Sequence, residues 1–175
     1  DIDVSRPEWL GKEEARYMAR PRMRAIPLGG VGEVGKNMMA IEYRGDLVLI
    51  DAGAKFPEEE QRGIDLVIPD PAYITDNLSR FRAILLTHGH EDHIGSLPYL
   101  IPQLEAIAPV PLYGSRLALA FARNKLEEAK AAHLVDFMPI EAGIEYRIGH
   151  HMEVEFIPVT HSIPGSMAIA VKTPV

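Results

Sequence analysis

Short apolar runs separated by glycine, proline and charged residues divide the chain into strand-length segments. Apolar and polar residues alternate along 154–160, as in a strand with one buried face, whereas 83–86 is continuously apolar, as in a strand buried on both faces. The pattern predicts a mainly antiparallel arrangement of strands at residues 24–28, 38–43, 47–51, 82–87, 110–113, 134–138, 144–148, 152–159 and 167–172.

The helical pattern is clearest after Ser115, which is suited to cap a helix that extends to about Lys130. One face of this helix is apolar and is expected to pack on the core; it is formed by Leu119, Ala122, Leu126 and Ala129. A second, short helix is predicted to begin near Ser96. Residues 52–80 are rich in proline and glycine and predict a long loop. A charged N-terminal arm over 1–22 is expected to precede a domain over 23–175.

A glycine-rich segment from Gly30 to Gly35 satisfies the G-x-G-x-x-G pattern, and Asp51 follows Gly30 by 21 residues, as in a dinucleotide-binding fingerprint. Such a site needs a helix of several turns after the glycines. Residues 36–46 are too short for that helix, and their alternating pattern predicts a hairpin instead. Nucleotide binding is therefore disfavoured, and a purely structural turn and a turn that also lines an active site both remain open.

Composition places the chain in the ordinary globular class, with 47% hydrophobic and 25% charged residues among 175. The absence of cysteine excludes disulfides and thiolate metal ligands. No apolar run approaches the roughly 18–20 residues of a membrane span, and no signal-peptide pattern is visible. These features predict a cytoplasmic protein that does not enter a membrane.

The net charge of −7 has the wrong sign for a chain that grips a polyanion by itself. Most contacts to a nucleic acid would have to come from elsewhere. Within the chain, Lys36 and Lys55 are the candidates for substrate contacts, and the acidic run 58–60 is expected to be a solvated loop.

A cluster of metal-binding residue types follows the apolar strand at 82–87. It packs three imidazoles and one carboxylate into six positions, namely His88, His90, Asp92 and His93. On an extended backbone His88 and His90 leave the same face and can converge on one ion. His93, as the immediate neighbour of Asp92, projects elsewhere unless the chain turns there. The spacing therefore predicts two metal positions rather than a surface histidine cluster.

Two divalent ions roughly 3.5–4 Å apart can bridge one hydroxide and stabilise displacement at phosphorus or attack on a carbonyl. Imidazole and carboxylate without thiolate suit zinc, and also manganese or iron. His161 lies at the end of another predicted strand, where it can face the first loop. The pattern alone leaves His161 open between a ligand and a capped strand end. His133, His150 and His151 are expected to be exposed or structural.

The run His88-x-His90-x-Asp92-His93 after an apolar strand resembles the signature of the metallo-β-lactamase fold, an αββα sandwich of the α/β (α+β) class with a mixed, mainly antiparallel sheet. Several reactions use that signature, so it implies fold and metal rather than substrate. Three further segments, 27–38, 49–57 and 160–164, are together similar to the ribonuclease J group of beta-CASP nucleases.

The resemblance implies that His88, His90 and His161 bind one metal and that Asp92 and His93 bind the other, with Asp92 and His93 acting in catalysis. It implies that Asp51 holds the ligand geometry without touching metal. The ions would be two divalent metals, zinc first, with manganese or magnesium as alternatives. The implied activity is hydrolysis of RNA by a 5′→3′ exonuclease and endonuclease that acts in RNA processing and decay and assembles as a dimer or tetramer.

In that family a bridging aspartate follows the position of Val175, and a further histidine comes after an inserted beta-CASP domain. The chain therefore corresponds to the first half of the metallo-β-lactamase domain and is expected to be inactive alone. Two alternatives are a hydrolase of a thioester or another small carbonyl substrate, and a non-catalytic scaffold subunit. The intact set of candidate ligands disfavours the scaffold.

Overall fold

A computed structural model describes residues 21–174, so the predicted arm over 1–22 lies almost wholly outside the described residues. The described part contains two sheets. In the first, the order is β1-β2-β3-β4-β5-β6; in the second it is β7-β8-β9. The strands are β1 Arg24–Gly29, β2 Met38–Tyr43, β3 Asp46–Ile50, β4 Phe81–Leu85, β5 Val110–Gly114, β6 Val135–Pro139, β7 Glu145–Ile148, β8 Met152–Pro158 and β9 Met167–Lys172. The predicted strands are thus confirmed, with ends that differ by one or two residues.

The first sheet is mixed. Strands β1, β2 and β3 are joined by hairpins and pair antiparallel, whereas β3, β4, β5 and β6 pair parallel. The second sheet is antiparallel throughout. The expectation of a mainly antiparallel arrangement is therefore too simple for the first sheet, because the links between its last four strands are long crossovers that return the chain in the same direction.

The crossovers carry the helices, which are α1 Ala72–Thr75, α2 Glu91–Ile94, α3 Leu97–Leu100 and α4 Arg116–Glu128, with 3₁₀ turns at Leu78–Arg80, Ile101–Ile107 and Ala132–Leu134. Helix α3 begins after Ser96, and Ser115 caps α4 by accepting a hydrogen bond from the Ala118 backbone, as predicted. Residues 52–80 are not the plain loop expected, because α1 and a 3₁₀ turn lie within them. Within residues 21–174, no helix has the length and apolarity to cross a membrane.

The first sheet has a hydrophobic core on each face, which explains the continuous apolar runs of its central strands β3 and β4. Leu47 and Leu49 of β3 face the helices, whereas Val48 between them faces the second sheet. Leu119, Ala122 and Leu126 of α4 are buried in the helix-side core. Ala129 is exposed, contrary to the prediction, because α4 ends at Glu128 and Ala129 caps it.

Asp46, at the start of β3, links the two sheets. Its buried carboxylate accepts a hydrogen bond from Arg82 Nε at 2.6 Å and from the backbone amides of His150 and His151 at 2.7 and 2.8 Å. Burial disfavours the charged carboxylate, but these hydrogen bonds outweigh it and lower the pKa of Asp46. His150 is exposed and His151 half-buried, and both belong to this structural turn; His133 is exposed. The three histidines are therefore exposed or structural, as predicted.

Candidate metal centre

The candidate site is built where the chain leaves β4. Leu86 is still buried, and the chain then continues through His88 and His90 before it turns into α2. Because α2 begins at Glu91, Asp92 and His93 leave the backbone in directions different from those of His88 and His90. The sequence left open a turn at His93, and the structure has one there, so the expectation for an extended backbone does not apply to Asp92 and His93.

Three imidazole nitrogens converge on one point. His88 Nε2 lies 3.0 Å from His90 Nδ1, and His161 Nε2 lies 3.2 Å from each of them. Tetrahedral zinc with Zn–N bonds of about 2.0–2.1 Å needs ligand nitrogens about 3.3 Å apart. The spacing and the chemistry of this donor set therefore fit a divalent metal. His161 reaches the group from the end of β8, in the second sheet.

A second group forms on the other side of His88. His93 Nε2 lies 3.4 Å from Asp92 Oδ2. The ring centroids of His88 and His93 are 4.0 Å apart. Ligand atoms of His88, Asp92 and His93 all lie within 4.8 Å of one another. The structure therefore brings together the five residues that the sequence singled out as metal ligands, in two groups that share His88.

A chain of hydrogen bonds joins the two groups through Asp51. Thr87 Oγ1 donates to Asp51 Oδ2 at 2.8 Å and lies 3.0 Å from His88 Nδ1, and His93 Nδ1 lies 2.7 Å from the same carboxylate oxygen. Because a carboxylate accepts, His93 carries its proton on Nδ1; because the Thr87 hydroxyl donates to Asp51, its oxygen accepts from His88 Nδ1. Both Nε2 atoms then point their lone pairs at the candidate site.

Main-chain contacts hold this arrangement. The amide of Ala52 donates to the His93 carbonyl at 2.8 Å, and the amide of Ala54 donates to the Glu91 carbonyl at 3.1 Å. Gly53 lies between them so close to α2 that a Cβ atom there would be 1.6 Å from the Asp92 carbonyl oxygen. Only glycine fits, because any side chain would separate the segment after β3 from the segment that carries Asp92 and His93.

The charges of the site depend on burial and on Asp51. Burial, with further repulsion from His93 and the other imidazoles, lowers the pKa of His88 to about 4. Burial also opposes protonation of His93, but its hydrogen bond to Asp51 and the negative charge there outweigh burial and raise the pKa of His93. Burial raises the pKa of Asp51, while hydrogen bonds from His93 and Thr87 act in the opposite direction. An uncharged His88 leaves a nitrogen available to a metal at neutral pH.

The candidate substrate-contacting lysines lie next to acidic side chains. Lys36 Nζ is 3.0 Å from Glu33, and Lys55 Nζ is 2.7 Å from Glu58 and 3.7 Å from Glu33. The positive charge of each lysine is therefore partly compensated within the chain. Their contact with a substrate stays a prediction.

Two contributors to the site were not assigned a role from the sequence. Thr87 joins His88 to Asp51, and its position directly before the first histidine was the signal. Asn37 Nδ2 donates to Asp92 Oδ2 at 3.1 Å across 55 positions of sequence. That separation gives no local pattern from which the contact could be predicted.

Comparison with known proteins places this architecture in a family. A family model described as the metallo-beta-lactamase superfamily matches residues 31–170. The chain belongs to the metallo-beta-lactamase superfamily. Membership implies that this metallo-beta-lactamase chain binds a divalent metal, and the clustered imidazole and carboxylate ligands agree with it.

Relatives and structural neighbours agree with the assignment to the metallo-beta-lactamase superfamily. Ribonuclease J 1 of Streptococcus pyogenes serotype M3 is 46% identical over 147 residues, which cover 84% of this chain and 25% of that protein. Ribonuclease J of Thermus thermophilus is 40% identical over 155 residues, covering 86% and 26% respectively. The chain thus spans about a quarter of the length of these relatives.

Among solved structures, the metallo-beta-lactamase fold protein YhfI from Bacillus subtilis superposes with a TM-score of 0.59 at 13% identity, over 87% of this chain and 58% of YhfI. At that identity the likeness shows the fold alone. It agrees with the metallo-β-lactamase fold that the resemblance implied.

Proposed function

We propose that the protein containing this chain is a metal-dependent ribonuclease that hydrolyses phosphodiester bonds of RNA, both 5′→3′ as an exonuclease and internally as an endonuclease. The observation that carries the proposal is the identity of 46% and 40% to two ribonuclease J proteins over most of this chain. The convergence of five candidate ligands at the end of β4 supports it, because a scaffold has no need of that arrangement. The proposed location is the cytoplasm, and the proposed assembly is a dimer or tetramer.

In this proposal two divalent metals, zinc first, are held by two sets of residues. His88, His90 and His161 hold one ion, and Asp92 with His93 holds the other. When bound, the metals supply Lewis-acid chemistry, which polarises phosphoryl oxygens and makes water more acidic. Asn37 engages only one oxygen of the Asp92 carboxylate. The other oxygen, Oδ1, orients the attacking water and accepts its proton.

Asp51 and Thr87 support this chemistry without touching the substrate. Their hydrogen bonds keep the protons of His88 and His93 on Nδ1 and so hold both Nε2 atoms ready for a cation. With a net charge of −7, the chain needs the metals and cations from other parts of the protein to hold RNA. Lys36 and Lys55 are the proposed local contacts, which would exchange their acidic neighbours for phosphate.

The test is cleavage of 5′-monophosphorylated RNA by the full-length protein with Zn²⁺ or Mn²⁺. We expect His90→Ala to reduce cleavage by more than about 100-fold, the upper range for losing a residue that only supports a ligand, and a chelator to abolish it. His133→Ala is the matched control, since His133 is exposed in the 3₁₀ turn Ala132–Leu134. Undiminished cleavage in His90→Ala, or no cleavage by the unaltered protein with either metal, would overturn the proposal.

A further inference from the structure

The glycine-rich turn that joins β1 to β2 ends at Asn37, beside the candidate metal centre. Asn37 Nδ2 lies 3.1 Å from the Asp92 carbonyl oxygen, 3.1 Å from Asp92 Oδ2 and 3.2 Å from His93 Nε2. The two Asp92 oxygens are acceptors, and His93, whose proton lies on the nitrogen that faces Asp51, has one lone pair on Nε2. The side-chain amide nitrogen of Asn37 is therefore the donor that lies against both candidate ligands of the second metal.

The backbone of Asn37 is fixed as firmly as its side chain. Its amide donates to the Asp92 carbonyl at 3.0 Å, and its carbonyl accepts from the Gly53 amide at 2.9 Å. These bonds tie the turn to both segments that build the site. These backbone hydrogen bonds fix the position of the Asn37 Cα atom, which keeps the side-chain amide close to Asp92.

The glycines of the turn make this position possible. Gly30 has a φ of +82°, and a Cβ atom there would lie 2.7 Å from Asn37 Oδ1. A Cβ atom at Gly29 would lie 2.2 Å from the Lys36 carbonyl oxygen. Gly35 is buried against Ala54 with a φ of +88°. Gly29, Gly30 and Gly35 therefore allow close approach of the backbone and leave room around one amide, and no helix follows the turn.

We propose that Asn37 is a positioning residue whose amide holds Asp92 Oδ2 in place beside His93 Nε2 for the second metal, and that the glycine turn serves to place this amide. The inference rests on the metal assignment of the proposed function. Asp92 and His93 offer two ligand atoms 3.4 Å apart on consecutive residues, and each side chain can rotate away. The amide limits the rotation of Asp92 through its hydrogen bond to Oδ2, an oxygen that keeps a further lone pair for an ion, while the single lone pair of His93 Nε2 remains for the metal.

The experiment is a metal titration of the full-length protein, with Zn²⁺ affinity measured by calorimetry and Co²⁺ absorption recorded for each of two sites. Asn37→Ala removes the amide, and Asn37→Leu replaces it with an apolar group of similar size. We expect both variants to bind the second ion about 10–100-fold more weakly, the range typical of losing a group that supports a ligand, and to bind the first ion as before. Asn77→Ala is the matched control, because Asn77 is also half-buried and also donates to a main-chain carbonyl.

The first site includes His161, which follows β8 of the second sheet, so its affinity in the same titration shows that each variant is folded. Unchanged affinity at the second site in either Asn37 variant would overturn the inference, and so would equal losses at both sites. An unaltered protein that binds one ion would overturn it as well. RNA cleavage measured in parallel decides the proposed function separately, because a protein that binds two ions without cleaving RNA leaves the role of Asn37 intact.

Discussion

At the scale of single residues, Asp51 determines the orientation of the candidate ligands His88 and His93. It has a φ of +60°, a left-handed conformation that aspartate and asparagine tolerate better than most residues. From that position its two oxygens accept from the Thr87 amide, the Thr87 hydroxyl and His93 Nδ1. One carboxylate therefore sets the orientation of two imidazoles and of the loop between them.

Replacement of Asp51 by asparagine tests this role, because asparagine keeps the size of the side chain and accepts the same backbone conformation. We expect Asp51→Asn to weaken zinc binding about 10–100-fold. The amide nitrogen that replaces one carboxylate oxygen is a donor and cannot accept the hydrogen bonds from His93 and the Thr87 hydroxyl. Competition with a zinc chelator measures the affinity. Asp136→Asn, on an exposed position of β6, should bind zinc as the unaltered protein does; equal affinities in all three proteins would contradict the role given to Asp51.

At the scale of elements, most strands were predictable and much of the site was not. The apolar runs of β2, β3 and β4 are long enough to be recognised as strands, and Ser115 marks the start of α4. Helix α2 has four residues, fewer than the pattern needs to appear, although it directs Asp92 and His93. The five ligands were recognisable from their types and spacing. The contacts of Asn37 and Asp51 with residues 36 to 56 positions away depend on tertiary packing, which local patterns do not record.

Gly53 offers a test of how elements fit together at the site. A Cβ atom in Gly53→Ala would collide with the Asp92 carbonyl, so we expect a loss of about 1–3 kcal/mol in the free energy of unfolding and weaker metal binding. Thermal and chemical unfolding measure the free energy of unfolding, and a zinc titration measures the metal affinity. Gly63→Ala is the control, because a Cβ atom there meets nothing within 4 Å and only the left-handed backbone is strained, by about 1–2 kcal/mol. Zinc affinity that survives in Gly53→Ala would show that the close approach is dispensable.

At the scale of the whole molecule, the two sheets meet through an apolar layer and through the buried carboxylate of Asp46. Tyr43, Val48 and Leu85 of the first sheet lie in the same core as Val154 and Phe156 of the second. Asp46 adds a polar link, because its partners are Arg82 on β4 and the turn between β7 and β8. Its lowered pKa makes this link depend on pH.

The sign of that dependence follows from the direction of the shift. A carboxyl whose pKa is lower in the folded protein contributes stability above its ordinary value of 3.8, and the contribution is lost as pH falls through the folded value. We expect Asp46→Asn to destabilise the protein by about 1–3 kcal/mol at pH 7, because buried donors lose their acceptor. The difference should shrink when urea unfolding is repeated below the pKa of Asp46. If the difference in the free energy of unfolding between the two proteins stays constant with pH, the ionised Asp46 carboxylate does not link the sheets as described.

His161 follows strand β8 of the second sheet, whereas His88 and His90 follow β4 of the first. An ion held by all three would therefore cross-link the two layers of the sandwich, in a chain that has no cysteine with which to make such a link covalently. Under the proposed assignment, the metal site that carries the reaction also stabilises the contact between the two sheets. Loss of the ion would then remove one link between the sheets, beside the apolar layer and Asp46, so that metal supply affects the stability of the fold as well as its chemistry.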